Sequence, residues 1–156
     1  MKISIICMGR TRERFIQDGI EKYLRYLKPY APTELNVLRE EKVEDLRDAP
    51  RIRKLEAAKI RKAISPNAYV VALDERGREF NSHEFAAFMD KALENGTREM
   101  SFVLGGAMGI DESVTGNADT VLAMSRWTLT HEMARVVLLE QLYRAFTIIK
   151  GKMYHY

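Results

Sequence analysis

The densest chemical signal in the chain is a glycine cluster. Gly105, Gly106 and Gly109 fall within five positions, directly after the apolar run Phe102-Val103-Leu104. Glycines at a strand end let backbone approach a ligand closely, or let a tight turn adopt positive φ, and spacing alone leaves both open. The dinucleotide fingerprint does not fit. It needs G-x-G-x-x-G after the first strand, with an acidic residue roughly 20 positions later. Here the first apolar run leads into Met8-Gly9-Arg10, and the cluster comes two-thirds of the way along. No G-x-x-x-x-G-K-[ST] loop exists either, which removes P-loop NTPases.

Residues able to move protons or hold anions are few. His83, His131 and His155 are the only histidines and Cys7 the only cysteine, and none stands in a metal-ligand spacing. His131, beside Thr128 and Thr130, opens a long apolar helix. It reads as a solvent-facing first-turn residue or as part of a site. Arg135 and Arg144 lie inside that helix, where an unpaired guanidinium is costly. Either they pair with Glu132 and Glu140, or one reaches into a cleft to hold a phosphate or carboxylate. Tyr154-His155-Tyr156 can stack on a base and bond its edge, or dock back on the core.

Net charge is +3, but residues 1–62 carry +6 and residues 63–156 carry −3. Arg10, Arg12 and Arg14 form one basic stretch, and a second runs from Arg51 to Lys62. Clustered cations attract phosphate backbones through counterion release; a solvated helix face is the competing reading. No stretch reaches the roughly 18 apolar residues of a membrane helix. The first fifteen residues read as a strand leading into a loop, not a signal peptide. A lone cysteine fits a reducing, cytoplasmic setting.

These residues need a scaffold, and 156 residues predict one domain with a real core. Short apolar runs predict strands at 3–8, 35–38, 68–73, 100–104 and 120–124. Helices are predicted between them. One covers 13–28, with Ile16, Ile20, Tyr23, Leu24 and Leu27 on one side. Another covers 50–64, opened by Pro50, its apolar residues poorly segregated and so only partly packed. A third follows the Asn81/Glu84 capping-box pair and stops at Asn95-Gly96. The last, 131–149, is apolar around nearly all its circumference and must be covered on two sides. The sheet covers one, and a second subunit is the simplest cover for the other, so a homodimer is expected. This alternation predicts an α/β fold, a mostly parallel sheet flanked by helices. Ligands of such sheets sit beyond the carboxyl ends of the strands. Three of those ends carry distinctive residues: Leu73-Asp74, Leu104-Gly105-Gly106 and Met124-Ser125-Arg126-Trp127-Thr128.

Several of these pieces together resemble one family. They are Leu73-Asp74, Leu104-Gly105-Gly106-Ala107-Met108-Gly109, Met124-Ser125-x-x-Thr128 and His131, followed by Arg135-Val136-x-Leu138-x-Glu140-Gln141-Leu142-Tyr143-Arg144-Ala145-Phe146 and Tyr154-His155. Across its whole length the chain resembles the SPOUT-class ribosomal RNA large subunit methyltransferase H family. The resemblance implies a SPOUT-type α/β knot whose C-terminal segment is threaded as a trefoil, a topology general rules argue against. It also implies a homodimer and S-adenosylmethionine as methyl donor. The implied donor contacts are Leu73, Gly105, Met124, Ser125, Arg126, Trp127, Thr128 and Leu129. The implied reaction methylates N3 of a pseudouridine in helix 69 of 23S rRNA, in the assembled ribosome. Methyl transfer from a sulfonium is an in-line displacement and calls for no metal. Arg144, His131, Tyr154 and His155 are then the catalytic candidates, for base positioning and charge stabilisation. Arg10, Arg12, Arg14, Lys150 and Lys152 are the candidates for gripping RNA phosphates. Thr130 replaces the proline that many members carry before the histidine, and Trp127 occupies a variable position. A non-catalytic ribosome- or RNA-binding protein on a related scaffold is the competing reading.

Overall fold

Strand residues sort by parity onto the two faces of a sheet. The computed structural model describes residues 1–152. In β1 (Lys2–Met8), Ile3, Ile5 and Cys7 join one core cluster and Ile6 and Met8 another, all fully buried. That is the period-2 pattern of a strand covered on both faces. With β2 (Thr33–Leu38), β3 (Tyr69–Glu79), β4 (Glu99–Leu104) and β5 (Thr120–Ala123) it forms a five-stranded sheet ordered β2-β1-β4-β3-β5. Every pairing is parallel. The predicted α/β class holds, and the sheet is wholly parallel.

The larger cluster unites α1 (Arg14–Leu27), α3 (Ser82–Glu94) and α5 (His131–Ile149) through Ile16, Ile20, Phe85, Met89, Leu138 and Leu142, packed with Phe102 and Leu104. The smaller unites α2 (Ala49–Ala63) and α4 (Glu112–Thr115) through Ala57, Ile60 and Val114, with Val103 from the sheet. Partial packing of α2 is as expected: Ile52 and Ile60 are buried, while Leu55 is 41% exposed. None of the described helices is long and apolar enough to cross a membrane.

Local chemistry sets the helix ends. Asn81 and Glu84 form the full capping box, each side chain accepting from the other's backbone N–H at 2.9 and 2.8 Å. Pro50 sits in the first turn of α2, where its missing N–H costs nothing. Thr130 Oγ1 accepts from Met133 N at 3.2 Å and starts α5 where predicted. Much of the cover for α5 comes from its own chain. A Cβ on Gly19 of α1 would stand 3.3 Å from Val136, and Ser82 of α3 donates to Gln141 at 2.9 Å.

One boundary departs from the sequence reading. β3 does not end at residue 73. Its ladder with β4 stops at Leu73↔Leu104, but Leu122 of β5 pairs with both Leu73 and Arg78, so residues 74–77 loop out of the ladder. Asp74-Glu75-Arg76-Gly77 forms an irregularity within the strand, after which the chain rejoins the same partner strand. Gly77 permits that return, because a Cβ there would lie 2.7 Å from the backbone of Leu122.

Candidate functional site

The carboxyl ends of β3, β4 and β5 open onto one cavity of about 1330 Å³. Its wall combines the looped-out segment from Leu73 to Arg76, the glycine loop from Leu104 to Glu112, and most of the stretch from Met124 to Ala134. Of the eight residues expected to contact a methyl donor, seven line this cavity. Arg126 is the exception: its Nε lies 3.1 and 3.2 Å from the two carboxylate oxygens of Glu79, and its side chain is mostly exposed. On the β3 side, Asp74 Oδ1 accepts from the Arg76 backbone N at 3.0 Å and from its Nε at 2.9 Å. The Arg76 guanidinium bond holds the Asp74 carboxyl below its usual range.

The tight-turn reading of the glycines holds. Gly109 has φ 82° and its N–H donates to Gly106 O at 3.0 Å, a tight turn. Gly105 cannot carry a side chain, since a Cβ would stand 2.6 Å from the Gly109 carbonyl. The turn is therefore also a cavity wall made of bare backbone.

A residue absent from the sequence reading stands behind that wall. Glu56 of α2 is 3% exposed, and a Cβ on Gly106 would meet its Oε2 at 2.8 Å. Glu56 Oε1 accepts from Glu41 N at 3.1 Å, while Oε2 has no partner among the described residues. Burial pushes this carboxyl above its ordinary range. The Glu41 amide and Lys59 oppose the rise, and the charges of Glu40 and Glu41 add to it. The available signal was periodicity: Glu56 falls midway between Ile52 and Ile60 on the buried stripe of α2. Arg53, one turn away, donates to Met108 O at 3.3 Å and ties α2 to the glycine loop.

The loop from Gly9 to Glu13 is held from α5. Arg135 is fully buried and donates to Met8 O at 2.5 Å, Gly9 O at 2.9 Å and Thr11 Oγ1 at 2.7 Å. Glu132 Oε2 accepts from the backbone N–H of Arg12 at 2.9 Å and of Glu13 at 3.4 Å. Neither alternative weighed for Arg135 describes it. It makes no salt bridge with Glu132, and it clamps backbone carbonyls instead of a ligand. Arg144 does form the predicted pair, its Nε 3.0 Å and its Nη2 2.5 Å from Glu140 Oε1.

The catalytic and RNA-binding candidates do not all converge. His131 lines the cavity, whereas Arg144 sits thirteen residues further along α5, about 20 Å at 1.5 Å per residue. Arg10, Arg12 and Arg14 are exposed near the N-terminal end of α5, with Arg12 Nη2 3.3 Å from Glu40 Oε1. Lys150 and Lys152 follow the opposite end of that helix, Lys152 Nζ lying 5.3 Å from the Tyr30 ring centre. Tyr154 and His155 lie outside the described residues.

This combination of strand order and loops has counterparts. The family model described as a predicted SPOUT methyltransferase matches residues 1–155. The chain belongs to the SPOUT methyltransferase family. It is similar to the ribosomal RNA large subunit methyltransferase H of Geobacter metallireducens, 44% identical over 156 residues that cover 100% of this chain and 99% of the relative. The protein of the same name from Trichlorobacter lovleyi is 41% identical, with full coverage of both chains. Among solved structures, a probable methyltransferase from Bordetella pertussis Tohama I superposes with TM-score 0.58 at 14% identity, covering 93% of this chain and 96% of that one. That last likeness concerns the fold alone. Membership of the SPOUT methyltransferase family implies a methyl donor.

Proposed function

We propose that this chain is an S-adenosylmethionine-dependent methyltransferase acting on 23S rRNA. Its target is N3 of a pseudouridine in helix 69 of the assembled ribosome, and it works as a cytoplasmic homodimer. One observation carries the reading: three strand-end loops meet around a single backbone-lined cavity, in a chain 44% identical along its length to a ribosomal RNA methyltransferase.

The cavity fits such a donor. Leu73, Leu104, Ile110, Leu122 and Leu129 offer apolar surface for an adenine ring. The bare backbone at Gly105 allows close approach where a Cβ would collide. The volume also exceeds the roughly 300–1,000 Å³ of ordinary small-ligand sites, leaving room for a nucleoside beside the donor. Bound there, the donor supplies an electrophilic methyl group. The protein must hold N3 close to that group and in line with it, and must take up the proton that N3 loses or stabilise the anion left on the base. His131, on the cavity wall, is placed for that second task. Arg144 cannot share a reacting centre with His131 of its own chain, given the 20 Å of helix between them. A catalytic role for Arg144 therefore requires the second protomer of the dimer. Arg10, Arg12 and Arg14 stand at the cavity end of α5, where they can hold phosphates and orient the RNA.

The test incubates the protein and methyl-labelled S-adenosylmethionine with ribosomes lacking the modification. Label is expected in 23S rRNA at the pseudouridine. Absence of transfer to ribosomes or free RNA, with the donor bound in calorimetry, would overturn the reading.

A further inference from the structure

The chain's single tryptophan, Trp127, is 84% exposed. An indole offers one of the largest apolar surfaces a side chain can bury, and here it lies in water at the cavity rim. The backbone beneath it is fixed. Trp127 N donates to Ser125 Oγ at 2.9 Å, and the adjacent Arg126 is anchored to Glu79 on β3 at 3.1 Å. No ring among the described residues packs against the indole. The loop thus holds at the opening an aromatic face that no ring among the described residues covers.

Resting on the function proposed above, we propose that the Trp127 indole is a stacking platform for a nucleobase of the ribosomal RNA, at or beside the nucleotide that receives the methyl group. Two features favour a base over a protein surface. The loop neighbours Ser125, Arg126 and Thr128 are polar, whereas a protein interface is built around a contiguous apolar core. The cavity has room for a nucleoside, and a base drawn toward the donor loses its stacking neighbours, which an aromatic face replaces without reading sequence.

The experiment compares wild type, Trp127→Leu and Trp127→Phe. It measures affinity for ribosomes lacking the modification, and S-adenosylmethionine affinity by calorimetry. Trp127→Leu is expected to weaken ribosome binding by roughly 5- to 150-fold, the range for losing one base–aromatic stack. Trp127→Phe should restore most of it, and donor affinity should change far less than ribosome affinity in both. Because the tryptophan is unique, wild-type indole fluorescence reports on it alone and should not shift on dilution. Equal ribosome affinity for Trp127→Leu and wild type overturns the proposal. Donor binding weakened in the variants as much as ribosome binding overturns it by making the indole a lid. A shift on dilution overturns it by placing the indole between protein copies. Wild type that binds ribosomes but transfers no methyl defeats the functional reading, while the binding comparison still decides the stacking role.

Discussion

Two loops, one in the cavity wall and one touching it at Glu13, are held by opposite means. The glycine loop is held by main chain packed on main chain, with Gly105 against the Gly109 carbonyl and the Gly109 N–H on Gly106. The loop from Gly9 to Glu13 is held by side chains from far along the sequence, Arg135 gripping carbonyls and Glu132 gripping amides. The first arrangement is vulnerable to added volume. The second is vulnerable to a lost group, and because Arg135 lies in the core, that loss reaches global stability.

The largest expected effect follows from the second arrangement. Arg135→Met fills much of the same space but removes three hydrogen bonds and turns an apolar chain toward Met8 O, Gly9 O and Thr11 Oγ1. The expected loss is about 3–5 kcal/mol of unfolding free energy, read by urea denaturation. Arg135→Lys keeps the charge but not the planar fork, and should lose about 1–3 kcal/mol. A methionine variant as stable as wild type would mean that the loop does not depend on the clamp.

The glycine loop should respond differently. Gly105→Ala forces a Cβ to within 2.6 Å of backbone that cannot rotate away. The loop must shift, and S-adenosylmethionine affinity should fall at least tenfold, about 1.4 kcal/mol, read by calorimetry. Four residues on, a Cβ at Gly109 would meet open space, and the cost of alanine is the strain of φ 82° alone, about 1–2 kcal/mol. If Gly105→Ala binds donor as wild type does, the bare-backbone wall is not what shapes the site.

The same contrast explains what could be read from the sequence. Elements whose signals are local were legible: α5 begins and ends where its apolar run placed it, and the Asn81/Glu84 box formed as spaced. The convergence of Leu73, Gly105 and Met124 followed from the rule for parallel sheets. Long-range partners were not legible. Arg135 offered Glu132 as an obvious partner one turn away, but its acceptors lie more than 120 residues distant in sequence. The return of β3 to β5 after residue 77 was hidden for a similar reason, since a turn signal marks where the chain bends and not where it goes next. Glu56 was hidden by its residue type, because carboxylates are expected on the solvated side of a helix.

Glu56 packs behind the glycine loop at Gly106, beside the Arg53 side chain that holds Met108 O, and it gives the smallest and most specific prediction. Burial raises its carboxyl in the folded state above the ordinary value of 4.5. Well below that value both folded and unfolded chains carry the proton, and the group costs nothing. As pH rises through the ordinary value, the unfolded chain releases the proton first, so the folded state binds more protons and stability falls. The fall ends once pH passes the raised folded value, and above it the whole penalty is present. Glu56→Gln keeps an oxygen for the Glu41 amide but cannot ionise. Its stability relative to wild type should therefore rise with pH from about the ordinary value of 4.5 up to the raised folded value and then level off, with a slope of at most about 1.4 kcal/mol per pH unit, the limit for one proton. Titrating groups remote from Glu56 cancel in the difference between the two proteins. Urea denaturation of both across that range reads it directly. A difference that stays flat would mean the carboxylate behind Gly106 ionises without penalty.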